Sequence, residues 1–138
     1  MANANFVGDG VYAEFPVAAG MKIGMGNLVA LDPNGYAVPL GPLPNQPFAG
    51  IAITSADNSG GSNGAVSVVV QRVGTVELDI HPGASFTQAK VGQTAYGDVD
   101  STTGVSTAHN SSTNRTAVGS VVAVLGNRVR IDMRRFTF

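Results

Sequence analysis

The sequence predicts an all-β fold: a compact small β-barrel or β-sandwich of hairpins with an extended N-terminal arm. Three observations carry that reading. Valine occurs 19 times, against 6 leucines and 5 isoleucines. A β-branched side chain loses χ1 freedom in a helix but packs well on a pleated sheet. Apolar residues recur with period two in several segments, and no window sustains a 3.6-residue period. Glycine and proline (18 and 7 of 138 residues) are abundant for a helical protein but too sparse for a disordered tract. The 43% hydrophobic content is that of a chain with a core to bury.

Taken in order, residues 1–18 read as an N-terminal arm or edge strand and 19–138 as a single β-domain. Val11, Ala13 and Phe15 alternate with Tyr12 and Glu14, and Pro16 then denies the ladder a donor. Asn27–Leu31 and Gly35–Pro39 form a hairpin across Asp32-Pro33-Asn34-Gly35, a strong turn signal. Residues 41–47 are a Pro-rich connector. Ala49, Ile51 and Ile53 alternate as a half-buried strand, and Ser55–Gly64 is an exposed loop without an apolar anchor. Ala65–Val73 is apolar on both faces, which places it centrally. Gly74 marks a bulge or close approach before the strand Thr75–Ile80, whose Glu77 and Asp79 face solvent.

One short helix fits at 85–91. Thr94–Gly97 and Val105–Thr107 flank a polar loop, Asp98–Gly104, as a second hairpin. His109–Asn114 reads as an exposed connector. Ala117–Leu125 and Arg128–Met133 are strands joined by Gly126-Asn127, a two-residue loop with Gly first. Val68, Val70, Val76, Leu78, Val122, Val124, Val129 and Ile131 are the expected core.

Chemistry is sparse. The chain has no cysteine, which removes thiol catalysis and Cys-based zinc modules. His81 and His109 stand in turns without a second ligand at metal spacing and read as surface residues. Asp98-Val-Asp100-Ser-Thr102 begins like a calcium loop, but Thr103 and His109 occupy the places that need Gly and an acid. Gly24-Met25-Gly26 lacks the third glycine of a dinucleotide fingerprint, with Val29 there instead. Asn110-Ser111-Ser112 and Asn114-Arg115-Thr116 match the glycosylation pattern without a secretory signal and read as loop polars. No nucleophile–base pair is visible, so an enzyme is not expected, nor is a metal or other cofactor. A net charge of −1 speaks against nucleic-acid binding, and no stretch reaches the roughly 20 apolar residues of a membrane span. Arg128, Arg130, Arg134 and Arg135, opposed by Asp132 alone, suit an acidic partner surface or a solvated strand face.

Three segments together resemble a known family. They are Gly26-Asn-Leu-Val-Ala-Leu with Gly35-Tyr-Ala-Val; Phe48-Ala-Gly-Ile-Ala, a Gly-rich loop and Val66-Ser-Val-Val-Val-Gln-Arg-Val-Gly-Thr-Val; and Val91-Gly-Gln-Thr-Ala-Tyr-Gly-Asp with Gly104-Val and the closing Ala117-Val-Gly-Ser-Val-Val-Ala-Val and Val129-Arg-Ile. Their order, over roughly 24–134, is similar to that of the phage capsid cement, or head decoration, proteins. Stretches 41–47 and 55–64 look like insertions, and Gly97 stands where the family often carries a second aromatic.

The resemblance implies a non-enzymatic virion protein, made in the host cytoplasm. It would bind the outer surface of the assembled capsid through the major capsid protein and stabilise the shell. Self-association as a trimer or dimer on the lattice is expected with it. Competing readings are another virion β-protein, such as a tail-tube or fibre-attachment domain, and a carbohydrate-binding β-sandwich. The last normally presents aromatic platforms, whereas Trp is absent here and Tyr occurs three times. The capsid-contact candidates are Phe6, Val11, Tyr12 and Phe15 of the N-terminal segment, with Arg134, Arg135, Phe136 and Phe138 at the other end. The first group is too apolar for a solvated tail and suits addition to a partner's sheet edge.

Overall fold

The computed structural model describes Ala4 and residues 8–138. Among them run β1 (Tyr12–Pro16), β2 (Lys22–Ile23), β3 (Leu28–Leu31), β4 (Ala37–Pro39), β5 (Phe48–Ala52), β6 (Ala56–Asp57), β7 (Ser67–Gln71), β8 (Thr75–Ile80), β9 (Thr94–Val99), β10 (Ser106–His109), β11 (Thr116–Leu125) and β12 (Arg128–Asp132). The fold is all-β, as the valine excess predicts. The helix expected at 85–91 is a single 3-10 turn, Gln88–Lys90, with no buried residue.

Two sheets make the body. One has the order β1-β7-β5-β3-β4, and the other closes as a barrel, β10-β8-β12-β11-β9. A short ribbon pairs β2 with β6. The open sheet curls, so that Val17, just past β1, bridges Ala37 of β4. Of the two readings of the N-terminal segment, residues 12–16 take the edge strand: all five pair antiparallel with β7.

The hairpin β3–β4 turns where expected. The Asp32 carboxylate accepts the N–H groups of Asn34 and Tyr36, both at 2.9 Å. β3 is apolar throughout because both its faces are buried. Leu28 and Ala30 enter the core shared with the barrel, and Val29 enters the core on the sheet's other side. The shared core also takes Phe48 and Leu40, with Leu78, Val118, Val121, Val129, Ile131 and Met133 of the barrel region. The second core holds Val17, Ile23, Ala49, Val68 and Val70. Gly97 makes the junction possible: a Cβ there would stand 2.8 Å from Leu28 Cδ1.

Several expectations are corrected. Val122 is 47% exposed, and Val76 and Val124 are only half-buried. For Val122 the cause is a bulge: Val121 pairs with Ile131 and Ala123 with Arg130, so Val122 is the extra residue. A second register shift, against β9 between Ala117 and Gly119, leaves Val118 and Val121 buried although they are spaced by three. In β5, Val29 pairs with Gly50 and Ala30 with Phe48, leaving Ala49 unpaired. Ala49 and Ile51 then serve opposite cores, and Ile53 is exposed.

The loop 55–64 has an anchor after all, a polar one. Asn58 is buried, and its amide donates to the carbonyls of Val17, Ala18 and Ser62 at 3.1, 3.1 and 2.8 Å. Ala56 is also buried, paired with Ile23. The turn after β9 is shorter than expected, because Asp98 lies within the strand and is buried. His109 ends β10 and is buried too, so it belongs to no exposed connector.

The barrel has one parallel seam. β8 and β10 pair only through Thr107 with Asp79 and Ala108 with Ile80, whereas β12 and β8 match over five residues. The Gly126-Asn127 loop closes the β11–β12 hairpin, with φ of 68° at Gly126, a conformation that glycine adopts without steric cost.

Candidate functional site

The outer side of β1 pairs with no strand among the described residues, since β1 ends the sheet order. Its alternation points Ala13 and Phe15 at the second core and leaves Tyr12 58% exposed. Val11, just before it, is half-buried, and its carbonyl accepts the Arg72 N–H at 2.7 Å.

Arg72 is the residue that organises this edge. It follows β7, and its guanidinium lies over the Phe138 ring at 4.3 Å and near the Phe15 ring at 6.0 Å. Those two rings meet edge to face with centroids 5.8 Å apart. The same guanidinium donates to the Phe138 carbonyl. The Thr137 hydroxyl donates to the Arg72 carbonyl at 3.0 Å, and the Phe138 N–H to that of Phe48 at 3.0 Å. Residues 137–138 are thereby laid against Phe15 of β1 and against Arg72. Phe138 remains 55% exposed.

The two segments singled out from sequence thus meet in part. Val11, Phe15 and Phe138 gather at Arg72, and Tyr12 lies on the same strand. Phe136 instead packs on the barrel core. Phe6 lies outside the described residues. Arg134 is exposed and 3.6 Å from Asp132, and Arg135 is exposed with φ of 70°. Arg128 and Arg130 stand across from Asp79 and Glu77, at 3.5 and 3.1 Å. All four side chains are nearly half exposed, so each pair contributes at most about 1 kcal/mol. That ladder neutralises the first half of the basic run within the molecule.

Arg72 was missed because its partners, Phe15 and Phe138, come from distant parts of the sequence. A second group was missed as well. Asp98 Oδ1 accepts the Thr107 hydroxyl at 2.8 Å and lies 3.0 Å from His109 Nε2. Arg115 Nε approaches Asp98 Oδ2 at 3.3 Å but out of line for a hydrogen bond. The His81 ring stacks on His109, centroids 4.3 Å apart. Burial holds the His109 imidazole below its ordinary pKa, against the opposing pull of its bond to Asp98. His109 is therefore corrected from a surface histidine to a buried, stacked one. Thr107 and Asp98 approach the same ring nitrogen, which is not the relay of a nucleophile and an orienting acid on opposite nitrogens. Among the described residues no cluster of three or more His, Asp or Glu is placed to hold a metal.

No family model matches this chain, and neither a curated protein nor a solved structure is significantly similar to it.

Proposed function

We propose that this chain is a structural virion protein that binds the outer surface of an assembled phage capsid and stabilises the shell. The observation that carries the reading is the unpaired edge of β1, with Tyr12 exposed on it and Phe138 exposed beside Phe15. A sheet edge offers backbone donors and acceptors to an extended segment of the major capsid protein, and neighbouring aromatics supply apolar contact. The order of strand and turn motifs over 24–134, similar to the cement proteins, supports the same reading. Weak contacts repeated over a shell lattice add up to stable decoration when copies associate with one another. The test is co-sedimentation with expanded shells and, separately, with dissociated capsid subunits. Binding to shells alone is expected. Equal binding to free subunits, or none to shells, contradicts the proposal.

A further inference from the structure

The barrel closes through a seam that two residue pairs and one added hydrogen bond hold together. Beyond Ala108–Ile80, the His81 N–H donates to the Ala108 carbonyl at 3.0 Å. The two imidazoles stack just there, His81 leaving β8 and His109 ending β10. The His81 ring is also used as an acceptor: Gly83 N–H donates to its Nδ1 at 3.2 Å. A proton on that nitrogen would remove the acceptor and place a positive charge against the neighbouring ring.

The surroundings decide how many protons the stack tolerates. Asp98, from β9, faces His109 and favours one positive charge there. Arg115, from the segment before β11, faces the same carboxylate and competes for it. Asp100, in the β9–β10 turn, lies within electrostatic reach of His81 but is exposed and occupied by the N–H groups of Thr102 and Thr103. Asp79, within the seam on β8, is paired with Arg128. The buried carboxylate already shared with Arg115 can offset one imidazolium, not two.

We propose that the His81–His109 stack is an acid-sensitive latch on the parallel seam, closed while the rings are neutral and opened when both carry protons. Opening separates β10 from β8 at this end and leaves the β11–β12 hairpin intact. The latch is independent of the capsid reading. It requires only that the barrel's least extensive seam and its one stacked pair of titratable rings coincide.

Amide hydrogen exchange tests it, with protection corrected for the intrinsic pH dependence of exchange. From pH 7.5 to pH 5.0, protection of the His81 amide is expected to fall about tenfold relative to amides of the β11–β12 ladder. His81→Gln cannot take up the second proton, and there the relative fall is expected to vanish. His109→Gln, which keeps a donor toward Asp98, is expected to behave likewise. An unchanged ratio in the wild-type protein overturns the latch, as does the same fall in a folded His81→Gln variant. The wild-type profile decides the matter if neither variant folds.

Discussion

Phe15 of the edge strand and Phe138 meet edge to face at 5.8 Å, with the Arg72 guanidinium over Phe138. The contact ties residues 137–138 to β1. Such an aromatic pair contributes about 0.5–1.5 kcal/mol beyond the area it buries. Phe138→Ala is therefore expected to lower stability by roughly 1–2 kcal/mol, with Arg72 losing its stacking partner as well. Urea unfolding measures this; a midpoint equal to wild type would show that the last residue does not brace the edge.

The β11 bulge makes a sharper prediction. Val121 and Val122 are adjacent, yet only Val121 is buried. Val121→Asp is expected to unfold the protein, because an unpaired buried carboxylate costs several kcal/mol. Val122→Asp is expected to change stability by no more than about 0.5 kcal/mol, as an exposed position allows. Circular dichroism melts of the two variants read the difference. The reverse order would place the bulge elsewhere.

Asn58 replaces an apolar plug with three donated hydrogen bonds. Asn58→Ala leaves the Val17 and Ala18 carbonyls without that partner and is expected to cost about 1–3 kcal/mol. The destabilisation is read by chemical denaturation. A neutral result would mean that the loop 55–64 is dispensable to the second core.

Global stability is expected to depend on pH in a definite direction. The folded-state pKa of His109 lies below the ordinary 6.5, chiefly through burial. The unfolded chain therefore binds this proton first. The His109 contribution is complete above about pH 6.5 and is lost as pH falls toward the lower folded value. Urea midpoints at pH 8, 7, 6 and 5 check this, and a midpoint that rises on acidification contradicts it.

Asp98→Ala removes the acceptor of Thr107 and the charge beside Arg115. Breaking a buried ion pair from one side costs on the order of 3 kcal/mol. The same variant is expected to steepen the His109 contribution to the pH profile, because the carboxylate is what opposes burial and its loss pushes the folded-state pKa of the ring further down. Melting temperature across the same pH series measures both effects.

Much of the fold is readable from local sequence. Asp32-Pro33-Asn34-Gly35 names its own turn, Gly126-Asn127 names another, and Val129, Ile131 and Met133 alternate into the core as period two requires. The failures share a cause. A bulge adds one residue without a distinctive sequence mark, so Val122 and Ala49 break an alternation that looks regular. Gly97 stands where an aromatic is expected, because Leu28 approaches it from the other sheet. His109, Asp98, Arg115 and His81 are polar residues in polar-looking segments. Only barrel closure brings them together and buries three of them wholly or in large part. The partner of Arg72 is likewise set by tertiary structure, since Phe138 and Phe15 come from opposite ends of the sequence.

The most direct measurement of the proposed role is the temperature at which expanded shells disrupt, with and without saturating protein. Added protein is expected to raise that temperature. Tyr12→Lys, which changes the exposed face of β1 and should leave the core intact, is expected to remove most of the gain while its own melting stays near wild type. Shells that bind the protein at full occupancy yet disrupt at the same temperature as bare ones would contradict the proposed role.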